Sequence, residues 1–232
     1  MTKPIEHWLS IDLSSALGST SVHRLENDTL TLVSSVSLND EYKHSEKLVP
    51  MLSNMLSDIR IDVADIDRFV TNRGPGSFTG LRVAFATIKA LAMAHGKPID
   101  TVSGSEARAL AWTSAEKSSL PYDDVFVLTH VSLNRYVNAR FQVRGGNQLR
   151  MVSEVLTEGF FREPDVEAGL VLIDGKVPRD LLPQSEEIKI VEFPITARYL
   201  AESLPKAATR QTFSSVQEWV ALSPVYFGDK QS

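Results

Sequence analysis

The stretch Arg73-Gly74-Pro75-Gly76-Ser77-Phe78-Thr79-Gly80-Leu81-Arg82 decides how this chain folds. It follows a short apolar run at 68–71, which is typical of a strand, and it leads into a helical pattern at 79–94. Its glycines and proline mark a loop between the two. A glycine loop at a helix N-terminus presents backbone N–H groups to an anion. The sequence therefore predicts either a phosphate site or a tight structural turn here.

A carboxylate at the end of the first predicted strand, at 5–13, extends this candidate site. Asp12 stands where ligands of α/β sheets bind, and it could hold a hydrated cation beside a phosphate. The alternative is that Asp12 caps the turn after the strand. The candidate phosphate or nucleotide residues are Asp12, Ser14, Arg73, Gly74, Pro75, Gly76, Ser77, Phe78, Thr79, Gly80 and Arg82.

Other motifs of catalysis are absent from the sequence. The loop matches neither the Walker A spacing nor the dinucleotide fingerprint, and no serine stands in a nucleophile elbow. The five histidines are scattered, and the chain contains no cysteine. We therefore predict no catalytic residue and no metal ligand.

The helix predicted at 79–94 is apolar on two sides. One side carries Leu81, Phe85, Ile88 and Ala92, and the other carries Val83, Ala86, Ala90 and Met93. Such a helix is buried on more than one side, so we expect a partner to cover it together with the methionine-rich face at 45–60. The alternative is a central helix that this chain covers itself. The candidate partner residues are Leu48, Met51, Leu52, Met55, Ile59, Leu81, Phe85, Ile88 and Ala92.

Length, composition and charge limit the classes of protein to which this chain can belong. The chain has 232 residues and a net charge of -5, which argues against a protein that grips nucleic acid by itself. Four arginines without nearby acids could still contact phosphate; they are Arg135, Arg140, Arg144 and Arg150. We expect a cytoplasmic protein without a membrane segment. Strand and helix patterns predict a mixed α/β fold, with an N-terminal lobe at 1–100 and a C-terminal lobe at 101–232.

The ten residues from Arg73 to Arg82 resemble the signature of the TsaB (YeaZ) family. This is a bacterial tRNA threonylcarbamoyladenosine biosynthesis family with glycoprotease-like relatives. Residues 11–15, 44–52 and 224–226 support the resemblance, which covers about residues 8–110. The second lobe is divergent, since Tyr136 alone keeps the family pattern at 128–136.

The resemblance implies the two-lobed fold of the actin, Hsp70 and sugar kinase group, with mixed sheets flanked by helices. It also implies a non-catalytic scaffold or activator that dimerises with TsaD, the catalytic paralogue. At the positions of that paralogue's metal-binding histidines, this chain aligns Gly104 and Arg108.

Further partners follow from the same resemblance. They are the ATPase TsaE, a second copy of this chain, and tRNA held indirectly through the complex. ATP and metal would then lie on the partner subunits, with no cofactor on this chain. Two alternatives remain: a nucleotide-binding, phosphotransferase-like protein that uses Asp12 and the glycine loop, or a glycoprotease-like peptidase.

Overall fold

A computed structural model describes residues 3–38, 44–115, 122–145, 148–158, 168–173, 177–178, 182 and 185–226. Its strands are β1 (Glu6–Asp12), β2 (Gly18–Glu26), β3 (Thr29–Leu38), β4 (Arg68–Asn72), β5 (Ile99–Val102), β6 (Asp124–Ser132), β7 (Arg135–Arg144), β8 (Gln148–Glu158), β9 (Gly169–Ile173), β10 (Ile188–Glu192) and β11 (Gln211–Phe213). Its helices are α1 (His44–Asp58), α2 (Phe78–His95), α3 (Gly104–Ala115), α4 (Ala197–Ser203) and α5 (Val216–Ala221), and a 3-10 turn covers Val63–Asp65.

The first sheet has the strand order β11-β5-β4-β1-β2-β3. The strands β1, β2 and β3 are antiparallel neighbours, and β4 and β5 add in parallel on the other side of β1. The carboxyl ends of β1, β4 and β5 therefore lie at one edge of the sheet. Such an edge is where α/β sheets bind ligands.

Helices cover both faces of this first sheet. On one face, α1, α2 and α5 enclose a core that includes Leu9 and Ile11 of β1. On the other face, α4 packs over Trp8 and Val70. Because successive side chains of a strand point to opposite faces, the apolar alternation that predicts β1 supplies the α1–α2 side of the core.

The second sheet has the order β10-β9-β6-β7-β8. The strands β6, β7 and β8 form an antiparallel meander, and β9 and β10 add in parallel. Helix α3 joins the two sheets, because Ala107 packs in a core of the first sheet and Ala109 packs against the second. Two mixed sheets flanked by helices confirm the fold class that the resemblance implies.

The short strands β5, β10 and β11 have no strand pattern that identifies them in the sequence. The strand β5 contains residue 100, the predicted lobe boundary, and β11 returns to pair with β5 from more than a hundred residues away. The strands of the first sheet thus lie within residues 6–102 and 211–213, and the strands of the second sheet lie within 124–192. The division of the chain into lobes at residue 100 stays a prediction.

The glycine loop packs directly onto the end of β1. A Cβ added at Gly80 would overlap the carbonyl oxygen of Leu13, and one added at Gly76 would overlap the side chain of Ser14. The Ser77 amide donates a hydrogen bond to the Ser14 carbonyl at 2.7 Å. This close approach fixes where α2 begins, and Gly96 ends α2 in the left-handed conformation.

We expect the substitution Gly80→Ala to destabilise the protein by about 3 kcal/mol, because the new methyl group meets backbone rather than a movable side chain. Urea denaturation measures this loss. The control is Gly145→Ala, where an added Cβ meets nothing within 4 Å, and where we expect a change within about 0.5 kcal/mol. Equal stability of the two variants would contradict the close approach of α2 to β1.

Candidate functional site

A buried polar cluster lies at the carboxyl edge of the first sheet. Asp12 ends β1, and its Oδ1 accepts a hydrogen bond from the Ser14 amide at 3.0 Å. Asn72 ends β4; its Nδ2 donates to Ser14 Oγ at 2.9 Å, and its Oδ1 accepts from the Gly74 amide at 2.8 Å. The structure thus brings Asp12, Ser14 and the start of the glycine loop together, and Asn72 joins them.

Burial raises the pKa of the Asp12 carboxyl above its ordinary value. The hydrogen bonds from Ser14 and the positive charge of Arg108 act in the opposite direction. Among the described residues, none donates a hydrogen bond to Asp12 Oδ2. Because the folded-state pKa is raised, ionisation of this carboxyl with rising pH works against folding. The buried site therefore disfavours the anion that a cation would need, relative to the same carboxyl in water.

Arg108 on α3 acts on this cluster as a positive charge. Its side chain is fully buried, and its Nη1 donates to the Leu128 carbonyl at 3.4 Å and to Thr129 Oγ1 at 3.3 Å. Both acceptors belong to β6 of the second sheet. Arg108 thus acts as a bridge between α3 and the second sheet.

Several amides of the glycine loop already donate within the chain. The Ser77 amide is bonded to Ser14, and the Arg73 amide donates to the Val102 carbonyl at 3.0 Å. The Gly80 amide donates to Ser77 Oγ at 3.4 Å, which caps α2. These amides are not free for a phosphate, so the geometry favours a structural turn over a phosphate cradle.

The second half of the loop turns to the protein surface. Phe78 is 51% exposed, and its ring lies 4.7 Å from the ring of Tyr226 and 5.1 Å below the Arg82 guanidinium. Thr79 is also exposed. Pro75 is buried with the glycines that flank it. Arg82, Phe78 and Thr79 therefore do not share the buried site of Asp12.

The nine residues predicted to face a partner belong to the interior of this chain, and their contact with a partner stays a prediction. Seven of them are buried: Leu48, Leu52, Met55, Leu81, Phe85, Ile88 and Ala92. The other two, Met51 and Ile59, pack partly buried against the same core. The larger side chains face the chain's own sheet because they remove more apolar area from water there.

The opposite side of α2 is the one that solvent reaches. Ala86 and Ala90 are exposed, and Met93 is 48% exposed. Beside them lies α5, with Val220 66% exposed and held near α2 by Lys89, whose Nζ donates to the Val220 carbonyl at 3.1 Å. We name Ala86, Ala90, Met93 and Val220 the outer α2 face.

The four arginines between residues 135 and 150 differ in whether an acidic side chain pairs with them. Arg140 makes two bonds of 3.0 Å to the Asp124 carboxylate and lies 5.8 Å from the Phe126 ring. Arg135 and Arg144 are exposed and donate to neutral side chains, at 2.7 and 2.8 Å, and Arg150 is exposed. A phosphate contact by these arginines stays a prediction.

Asn72 and Glu154 are not among the residues that the sequence predicts for the site. Glu154 on β8 accepts a hydrogen bond from Ser103 Oγ at 3.1 Å, which joins the second sheet to the start of α3. The position of Asn72 could have identified it, because it is a polar residue between a predicted strand and the glycine loop. The role of Glu154 depends on a contact between distant segments, and no local pattern marks it.

Metal ligands and membrane helices are not found in the described parts of the chain. No group of three or more His, Asp or Glu side chains in those segments could hold a metal ion. No helix in them is long and apolar enough to cross a membrane.

Parts of this chain are similar in sequence to known proteins. A family model for TsaD, tRNA N6-adenosine threonylcarbamoyltransferase, matches residues 32–143. The Erythrobacter litoralis protein of that name is 35% identical over 80 residues, which are 34% of this chain and 23% of the relative. The Buchnera aphidicola tRNA threonylcarbamoyladenosine biosynthesis protein TsaB is 28% identical over 90 residues, which are 38% of this chain and 43% of that protein. Each match thus spans less than half of the curated relative.

Solved structures match over nearly the whole chain. A Pseudomonas aeruginosa protein described as similar to the peptidase YeaZ has a TM-score of 0.70 at 20% identity, and the match covers 96% of this chain and 99% of that one. YeaZ from the same organism has a TM-score of 0.63 at 20% identity, over 85% and 89% of the two chains. This likeness establishes the shared fold. With the sequence matches, it confirms the resemblance to the TsaB (YeaZ) family.

Proposed function

We propose that this chain is a non-catalytic scaffold subunit in the biosynthesis of tRNA threonylcarbamoyladenosine, and that it pairs with a TsaD-like catalytic protein. The observation that carries the proposal is the outer α2 face, an apolar helix surface that the described part of the chain leaves exposed. The relatives named for this pathway support the biological context. A scaffold needs a docking surface more than a reactive centre.

The polar site supports a chain without chemistry of its own. Asp12 is fully buried, and this burial raises the pKa of its carboxyl above the ordinary value. Gly104 and Arg108 stand where the resemblance aligns metal-binding histidines, and the Arg108 guanidinium is a cation that repels a metal. With four of the loop amides already bonded inside the chain, these residues fit a nucleotide and its metal poorly. We accordingly assign ATP and metal to the partner subunits.

The partner contact would centre on the outer α2 face. Exposed apolar residues that are adjacent on two helices are typical of protein interfaces. A cleft between α1 and α2, of about 490 Å³ and lined by Leu52, Leu56 and Leu91 among others, continues the apolar surface toward α1. A TsaD-like protein is the occupant that we propose, because its family model matches residues that include both helices.

The same proposal includes partners that contact this chain only through the assembled complex. A TsaE-like ATPase would join the assembled pair, and tRNA would be held through the complex. The exposed Arg144 and Arg150 offer a modest positive patch for that contact, which salt would weaken. A second copy of this chain could use the outer α2 face when no TsaD-like partner is present.

We expect the double substitution Ala90→Lys and Met93→Lys to weaken binding of the TsaD-like protein from the same organism by at least about tenfold, because two charges would be buried at the interface. Lysine keeps a high helix propensity and is favourable near a helix C-terminus, so α2 should remain folded. Surface plasmon resonance measures the affinity, and thermal unfolding verifies the fold.

The matched control for that experiment is Leu133→Lys, which charges an exposed leucine in the turn between β6 and β7. This variant should bind as the unchanged protein does. An unchanged affinity in the double variant would refute the outer α2 face as the docking surface.

For the proposal that this chain holds no nucleotide, titration calorimetry with ATP and magnesium is the direct test. We expect no saturable heat from the isolated chain. Binding that disappears in Asp12→Ala would instead support a nucleotide-binding protein that uses Asp12 and the glycine loop. The Asp12→Ala variant must retain a cooperative thermal transition for that comparison.

A further inference from the structure

The strand β3 forms one edge of the first sheet. It pairs with β2 on one side, and the described part of the chain places no strand on its other side. None of its ten residues is buried, and Val33 and Val36 are 40% and 36% exposed. Helices α1 and α4 pack beside β3 on the two faces of the sheet. The outer backbone N–H and C=O groups of β3 are therefore open to another strand.

The sequence of β3 lacks the residues that normally keep a sheet edge from pairing. The strand reads Thr-Leu-Thr-Leu-Val-Ser-Ser-Val-Ser-Leu, with no charged residue and no proline. Charged side chains, proline and a short length are common protections of an edge. With ten residues, β3 is also longer than the common strand of about five or six.

The other edge strands of the two described sheets do have such protections. At the opposite edge of the first sheet, β11 has only three residues. In the second sheet, the edge strand β10 contains Lys189 and Glu192, and the edge strand β8 contains Arg150 and Glu154. Among the edges of the described sheets, β3 is thus the one that is both long and uncharged.

A β-bulge divides β3 into two parts. The pairing with β2 shifts between Val22 and His23, which leaves Val33 as the extra residue. A bulge disturbs pairing and bends the strand locally. Beyond it, residues 34–38 pair with residues 18–22 in unbroken register. The regular part of the open edge is therefore the segment 34–38.

This segment contains the palindrome Ser35-Val36-Ser37, whose three side chains are all exposed. In an antiparallel pair with its own copy, centred on Val36, valine opposes valine and each Ser35 opposes a Ser37. Facing β-branched side chains and facing hydroxyls both stabilise antiparallel strands. Because β3 is uncharged, this pairing also brings no like charges together within the strand. The edge is accordingly complementary to a second copy of itself.

We propose that two copies of this chain associate through β3, antiparallel and about a two-fold axis at Val36, so that their first sheets join into one continuous sheet. The contact is isologous, since both copies use the same surface. It involves one strand from each copy, so the interface is small and the dimer is weak and dependent on concentration. No residue of the outer α2 face belongs to β3, so the two surfaces do not compete for the same residues.

Sedimentation equilibrium of the full-length chain, from micromolar to millimolar concentration, tests this dimer. We expect the unchanged chain to dimerise reversibly. The substitution Val36→Lys should raise the dimer Kd at least about tenfold, because it places two like charges opposite each other at the axis. Val36→Glu alone should have the same effect. An equimolar mixture of the two variants should associate again, because lysine then opposes glutamate.

The matched control is Val155→Lys, which charges a valine of similar exposure, 45%, on the edge strand β8. It should dimerise as the unchanged chain does. The double variant Ala90→Lys and Met93→Lys should also still dimerise, which separates this contact from one through the outer α2 face. Thermal unfolding verifies that each variant is folded.

Four results would overturn the proposal. They are an unchanged chain that stays monomeric at the highest concentration, a dimer that Val36→Lys does not weaken, a mixture of the two charged Val36 variants that stays monomeric, and loss of the dimer in the Ala90→Lys and Met93→Lys variant.

Discussion

The close approach of the glycine loop to the end of β1 is the constraint on which the rest of this structure depends. Gly80 lies against the Leu13 carbonyl, and Ser77 is bonded to Ser14, with no room for a larger residue at Gly76 or Gly80. The start and direction of α2 follow from this contact. Leu81, Phe85, Ile88 and Ala92 consequently turn toward the sheet, while the outer α2 face is left to solvent.

The same contact explains why a loop with the composition of a phosphate cradle makes a poor one. A phosphate site needs free amides in a concave arrangement, whereas four amides of this loop already donate to acceptors on β4, on β5, just after β1 and in the loop itself. The loop thus contributes rigidity. That rigidity holds the outer α2 face in a fixed orientation, which would lower the ordering cost for the partner that we propose.

Periodicity and loop chemistry predict most elements of the fold, because long amphipathic patterns depend on local sequence. The patterns at 5–13, 45–60, 68–71 and 79–94 correspond to β1, α1, β4 and α2. The strand β11 could not be found this way, because three residues carry no period and their partner β5 lies more than a hundred residues earlier. The exposed side of α2 was also out of reach, since apolar residues occupy both sides of the helix.

Some polar residues of the site could be predicted from the local sequence, and others could not. Asp12 and Ser14 could be proposed from their place after a strand, and the structure locates them with Asn72 at the sheet edge. Glu154 could not, because an acid on an edge strand becomes half-buried and bonded to Ser103 only when β8 meets the start of α3. Tertiary contacts between segments distant in sequence decide such roles, and local patterns do not contain them.

The central claim is that this chain serves tRNA threonylcarbamoyladenosine biosynthesis as a docking subunit. Mass spectrometry of tRNA nucleosides, after deletion of the gene in its own organism, tests it most directly. The account predicts that threonylcarbamoyladenosine falls sharply and returns when the unchanged chain is restored. An unchanged level of the modified nucleoside in the deletion strain would contradict the account.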